Sequence, residues 1–352
     1  MKFDAVVGNP PYQELDGGGK GYSAKPVYNH FVEAAKHITS MYVSMVTPSR
    51  WFSGGKGLDE FRDRSLQDNH MREIVDYVDN EVLFPGVAIV GGVNYFLWDH
   101  SFSGDCKITS IRGENKSVME RSLSEYDILV RNNESVQLIR RIQENPCQKM
   151  DTVVYARNVF GIPSDFRGQP NPDSEHSIKM YCSEKSNSMA ATYIRERDVP
   201  KENSLISKYK VIMGKVVPRG GEVGVDPKIG YRAISTVQVL YPNSVFTDSY
   251  LLLAAFDKEE EAINFAQYMT LRFPRFLLHE TYSSMNISKG NFRFVPFLDY
   301  SRAWTDKQLY EQFGCSKEEI DMIDSMIRPL EYVVHRETGA EKLSLFETVE
   351  ND

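Results

Sequence analysis

Between residues 3 and 98, short apolar runs alternate with segments whose apolar residues recur at helical spacing, and that alternation restricts the chain to a layered α/β arrangement. Phe3–Gly8 (FDAVVG) reads as a buried strand ending in a Gly-Asn-Pro-Pro turn. Pro26 opens a helix whose apolar stripe is Val27, Phe31, Ala34, Ala35 and Ile38. Met41–Thr47 is a second buried strand, stopped by Pro48, and Leu58–Leu66 is a short charged helix. Ile74–Val78 and Val93–Trp98 complete a set of four strands, expected in a largely parallel sheet.

Beyond about residue 105 the rhythm changes. Residues 106–150 read as a connecting segment with a helix near Ser135–Gln143. Residues 151–300 carry short strands at Thr152–Ala156, Val211–Val217, Ala233–Leu240 and Tyr250–Ala255, with an exposed loop over Phe166–His176. A strong helix starts at Asp257 and buries Ile263, Phe265, Ala266, Met269 and Leu271, its three consecutive glutamates favouring the positive end. Residues 301–338 form C-terminal helices, with Thr305 and Ser316 as caps and Ser316 and Glu319 at capping-box spacing. The acidic tail 339–352 is expected to be disordered.

The sequence that carries chemistry is Asn9-Pro10-Pro11-Tyr12, set directly after a buried strand. Two prolines stiffen the loop and remove two backbone donors, so carbonyl groups there stay free to accept. Asn9 adds a side-chain carbonyl and Tyr12 an aromatic face. An exocyclic amine offers two hydrogens, and two fixed acceptors aim its lone pair while a flat ring lies on the tyrosine. That arrangement suits direct group transfer to a weak nitrogen nucleophile, where positioning does most of the work.

FDAVVGNPPYQ resembles the catalytic loop of amino-methyltransferases that use S-adenosylmethionine, in particular adenine-specific DNA methyltransferases of restriction–modification systems. The segments DGGGKGYSAKPVYNHFVEAA, VSMVTPSRWF, GLDEFRDRSL and EVLFPGVAIVGGVNYFLW follow in the family's order. The resemblance implies that residues 1–105 form the C-terminal half of a Rossmann-like methyltransferase sheet. A mixed α+β target-recognition domain (151–300) and the C-terminal helices then follow. It further implies that Asn9 and Pro10 accept the adenine amino hydrogens, Pro11 shapes the loop and Tyr12 stacks on the base. Phe84 matches a second aromatic packed on the base's other side, and the base itself must leave the helix to be reached.

One departure stands out. The family binds S-adenosylmethionine through a Gly-rich turn placed before the catalytic loop, whereas here only MKFDAVVG precedes it. Gly17–Gly21 lacks the spacing and the Ser/Thr of a phosphate loop, and Val90-Gly91-Gly92 is not followed by a helix pattern. The donor site is therefore expected on a separate polypeptide, unless the chain is a fragment or a decayed gene product. Phe3–Gly8 would then be an apolar edge strand open to pairing.

Residues 201–235 interleave Lys208, Lys210, Lys215 and Arg219 with turn glycines, which suggests lysines on phosphates and Arg219 on a base edge of double-stranded DNA. Asn286-Ile287-Ser288-Lys289 followed by Val295-Pro296-Phe297 resembles the closing segment of target-recognition domains. A net charge of −8 does not oppose DNA binding, because a local basic face suffices. The four cysteines show neither zinc-site nor disulfide spacing, so no metal is expected and a reducing cytoplasm suits them. No run is long and apolar enough for a membrane. A restriction subunit is a further expected partner. Two alternatives stay open: a non-catalytic DNA-binding remnant, and a protein-glutamine methyltransferase, whose amide nitrogen poses the same aiming problem.

Overall fold

The computed structural model describes residues 2–15, 24–79, 83–87, 89, 91–183, 189–216, 230–282 and 286–330. The chain divides into two compact units, one mainly Met1–Gln137 and the other mainly Leu138–Gly221, Ile229–His279 and Asn286–Asp352.

In the first unit, β1 (Phe3–Gly8) leads through the hairpin β2 (Gln13–Leu15) and β3 (Ala24–Pro26) into helix α1 (Tyr28–Ile38). The chain returns as β4 (Thr39–Pro48), parallel to β1 with Gly8 opposite Met45. Helix α2 (Asp59–Leu66) and the strands β5 (Met71–Tyr77), β6 (Val93–Asp99), β7 (Cys106–Arg112) and β8 (Asn115–Arg121) follow. Together they form a six-stranded α/β sheet of order β1-β4-β6-β5-β7-β8. It is mixed rather than largely parallel: only β1/β4 and β5/β7 run parallel. The physical reason is connection type. No helix appears among the described residues between β5 and β6, so β6 folds straight back beside β5. Residues 106–121, read above as the start of a connector, instead add the last two strands, turning at Gly113 with φ +55°.

The helices α1 and α2 cover one face of this sheet. Tyr28, Val32 and Ala35 of α1 pack with Val43, Met45, Phe61, Ile74, Phe96 and Trp98. Of the expected stripe only Ala35 is in the core; Phe31 and Ile38 are 46% and 43% exposed. Both stripes obey the helical period and share Ala35; the sheet selected Tyr28 and Val32 over Phe31 and Ile38, and the periodic pattern alone does not distinguish them. β1 is a strand as expected but not a buried one: it lies at the sheet edge with none of its residues buried, Phe3 being 50% and Val7 78% exposed.

The second unit holds most of α3 (Val136–Glu144) and two small sheets built from β9 (Ile178–Ser183), β10 (Met189–Ile194), β11 (Tyr209–Gly214), β12 (Val237–Leu240), β13 (Ser244–Phe246) and β14 (Tyr250–Phe256). Their orders are β10-β9-β13 and β12-β11-β14. Helices α4 (Glu259–Thr270), α5 (Arg272–His279), α6 (Asp306–Gln312) and α7 (Lys317–Met326) complete it. The capping boxes at Thr305 and Ser316 form as expected. Two strand readings change. Thr152–Ala156 is not a strand, because Met150–Thr152 closes a 3-10 turn. The strand expected from Ala233 starts only at Val237, since Ala233 sits at φ +61°, outside extended space. The acidic tail, Gly17–Gly21 and the Val217–Gly221 loop tip lie outside the described residues.

Candidate functional site

Parallel pairing brings the C-terminal ends of β1, β4 and β5 to one end of the sheet, and β6 begins there. Asn9-Pro10-Pro11-Tyr12 leaves β1 at that end, with Pro10 buried, Asn9 and Pro11 exposed and Tyr12 half-buried. The Tyr12 carbonyl accepts from Val27 N at 3.2 Å, which ties the loop to the start of α1. Among the described residues, no hydrogen bond reaches the carbonyls of Pro10 and Pro11. Burial raises the Tyr12 hydroxyl's pKa, and the Asn9 amide beside it partly offsets that. The two approach without well-formed geometry, so the hydroxyl keeps unused bonding capacity. The end of the strand therefore presents fixed acceptors next to an aromatic ring.

A buried ionic frame holds the neighbouring strand ends. Arg131 Nε and Nη2 donate to the two Asp76 oxygens at 2.7 and 2.8 Å, and Nη1 donates to the Gly91 carbonyl at 2.7 Å. Ser49, directly after β4, donates to Asp76 at 2.6 Å, and its backbone N–H donates to Gly92 O at 3.0 Å. Asn94 Nδ2 donates to the Thr47 carbonyl and to Ser49 Oγ at 3.1 and 3.3 Å. Only glycine fits at residue 92: its φ is +78°, and a Cβ would strike the carbonyl oxygens of Tyr77 and Val78. Both charges are nearly dry, with side-chain exposures of 5% and 1%. The frame thus fixes the base of the β5–β6 connection. Phe84 is on that connection, half-buried, in a turn closed by Val87 N donating to its carbonyl at 3.1 Å. It shares the sheet end with Asn9 while lying on a different connection.

The basic segment of the second unit is largely spent internally. Lys210 is fully buried, and its ammonium donates to the carbonyls of Leu205, Ile206, Lys208 and Tyr241 at 2.7–3.5 Å. The reading of Lys210 as a phosphate contact is overturned, because no phosphate can reach it. Lys208 pairs with Asp257, and Lys215 pairs with Asp248 at 2.8 Å with 12% of its side chain exposed. Arg219 lies outside the described residues. The 286–297 segment is a clamp: Ser288 caps the turn Lys289–Phe292, Val295 O accepts from Met150 N at 2.8 Å, and Pro296 O accepts from the Tyr268 hydroxyl at 2.8 Å.

Lys210 carries its own expected result. Replacing it by Met strands several buried carbonyls and should cost about 2–3 kcal/mol in urea unfolding. Burial pushes Lys210 down to about 7. The folded value lies below the unfolded one, about 10.4. This group's contribution to stability is therefore full only above the unfolded value and is lost as pH falls toward 7. The gap between wild type and Lys210→Met should widen as the pH is raised from 7 toward 10.

Sequence reasoning missed Asp76 and Arg131. The signal was present as an acid inside the strand-like IVDYV and a base directly following the apolar ILV. It also missed Arg50, which follows Pro48 and Ser49 at the end of β4. Among the described residues no group of three or more His, Cys, Asp or Glu is placed to hold a metal, and no helix is long and apolar enough to cross a membrane.

Residues 1–84 match the family described as Eco57I restriction-modification methylase. A Mycoplasma pneumoniae protein described as an adenine-specific methylase is 28% identical over 158 residues, covering 44% of this chain and 37% of that protein. The match thus spans just over a third of the relative's length. Among solved structures, the type IIL restriction-modification enzyme MmeI in complex with DNA gives a TM-score of 0.42 at 10% identity, over 86% of this chain and 47% of that one. The type IIG restriction endonuclease BpuSI gives 0.32 at 10% identity, over 84% and 44%.

Proposed function

We propose, from the premise that residues 1–84 match a restriction-modification methylase family, that this chain binds an adenine base for site-specific methylation of DNA. The observation that carries the reading is the pair of unbonded proline carbonyls beside Asn9 and Tyr12 at the end of β1. In this reading Asn9 Oδ1 and the Pro10 carbonyl accept the two amino hydrogens and aim the nitrogen lone pair outward. Pro11 holds the loop, Tyr12 offers a face to the ring, and Phe84 closes the other side. A base held this way has left the duplex stack. S-adenosylmethionine supplies the methyl group in such reactions. None of the described residues is assigned to the donor.

The second unit is proposed as the DNA reader, with Arg219 as its base contact and Lys208 and Lys215 as the remaining candidates for phosphate. Their pairing with Asp257 and Asp248 makes each a weaker candidate than the sequence implied. Duplex binding by the full chain, followed by fluorescence anisotropy, should weaken steeply with salt through counterion release. Arg219→Ala should relax sequence preference, whereas Lys208→Gln should shallow the salt slope without changing preference. Salt-independent binding, or none, would make the second unit a protein-interaction module.

A further inference from the structure

The short 3-10 turn Ser49–Phe52 closes β4 at the same sheet end as Asn9–Tyr12. Ser49, Trp51 and Phe52 are buried, and Arg50 alone in the turn is partly exposed. Its guanidinium forms no ion pair among the described residues, and its Nε is buried without a hydrogen-bond partner. A half-buried guanidinium without an ion-pair partner gains from an anion that completes it.

The surroundings are built rather than incidental. Tyr28, 1% exposed, packs edge-on against Phe61 at 6.2 Å between ring centroids. Its hydroxyl lies within electrostatic reach of Arg50 and beside the backbone N–H of Trp51, yet makes no well-formed hydrogen bond. Trp51 packs on Phe52 and Phe61, so the shell around these groups is rigid. Tyr28 directly follows Val27, whose N–H holds the Tyr12 carbonyl. Three unmet polar groups (Tyr12 Oη, Tyr28 Oη and Arg50 Nε) therefore sit on segments linked to one another at this sheet end. Unmet donors and acceptors of this kind are available to a ligand that reaches them.

We infer that Arg50, backed by the Tyr28 hydroxyl, binds a phosphate of the nucleotide whose base enters at Asn9–Tyr12. The inference rests on the base-binding reading above and adds the residue that anchors the nucleotide's backbone. A base stacked on Tyr12 brings its own phosphates within one nucleotide's reach of the loop. A guanidinium matches a phosphate's oxygens through two parallel donors. The carboxylate of the methyl donor is the other oxyanion of similar chemistry, and the test separates the two.

Saturation-transfer NMR on the full chain, titrated separately with deoxyadenosine, its 5′- and 3′-monophosphates and S-adenosylmethionine, reads the phosphate contribution without knowledge of the target sequence. Wild type should prefer one monophosphate over the nucleoside by roughly tenfold, the scale of one charged contact. Arg50→Gln should bring that preference to within about twofold while leaving deoxyadenosine binding in place. Tyr28→Phe, which keeps the ring and its packing, should give an intermediate loss. Thermal unfolding of each variant checks that the fold is kept. Equal binding of nucleoside and monophosphates by wild type, or a preference that survives Arg50→Gln, overturns the inference. So does an Arg50→Gln chain that keeps its phosphate preference and loses S-adenosylmethionine, which assigns the guanidinium to the donor. Binding of neither nucleoside nor monophosphate overturns the base-binding reading itself, and the inference with it.

Discussion

An Asn9→Ala chain, assayed in the complex that performs methyl transfer, is expected to lose at least about a hundredfold in turnover, as when one preorganised polar group is removed from a transition state. Affinity for duplex DNA should hardly change, because phosphate contacts supply most of it. The effect is large for a positional reason. Asn9 stands where β1 ends, and the next two residues cannot donate from their backbone, so the amide is the one adjustable acceptor in a rigid loop. An exocyclic amine shares its lone pair with the ring and reacts only when held pyramidal toward the donor. Near-normal single-turnover rates in Asn9→Ala would remove this residue from the chemistry.

Arg131→Met should destabilise the chain by about 3–5 kcal/mol, the usual cost of leaving one member of a buried pair without its partner. Asp76 is 1% exposed and would keep only the Ser49 hydroxyl, at 2.6 Å. Set against a typical total of 5–15 kcal/mol, that is a large fraction of the stability. Arg131→Lys should recover only part of it, because an ammonium cannot span both Asp76 oxygens and the Gly91 carbonyl together. The double variant Asp76→Leu with Arg131→Met should be much less damaging than the sum of the single changes, since it removes the stranded charge. Urea unfolding followed by tryptophan fluorescence measures all of these. Additive losses in the double variant would mean that the two side chains act independently.

What the sequence made legible follows from local physics. FDAVVG ahead of two prolines can hardly be other than a strand that stops, and it is β1. Thr305 and Ser316 announce their helices because capping is written within four residues. The failures arise where a long-range choice decides. Helix α1 carries two apolar stripes, and only the sheet picks Tyr28, Val32 and Ala35 over Phe31 and Ile38. The 178–183 and 189–194 strands escaped notice because Lys, Ser and Thr interrupt their apolar residues. Lys210 misled for a related reason: a lysine in a basic stretch looks solvated, yet β11 runs through the middle of its sheet and turns that side chain inward onto loop carbonyls. The rigid turn at Asn9–Tyr12 was legible because two prolines directly follow a strand, whereas Asp76, Arg131 and Arg50 come together only once strand ends distant in sequence converge.

The most direct test of the base-binding account is nucleoside mass spectrometry on DNA. The chain would be expressed with its native gene neighbours in a host free of adenine methylation, and the genomic DNA digested and analysed for N6-methyldeoxyadenosine. This nucleoside should appear with the wild-type chain and fall to background with Asn9→Ala at equal protein level. N6-methyldeoxyadenosine that persists undiminished in Asn9→Ala, or its absence alongside newly methylated glutamine in cellular protein, would contradict it.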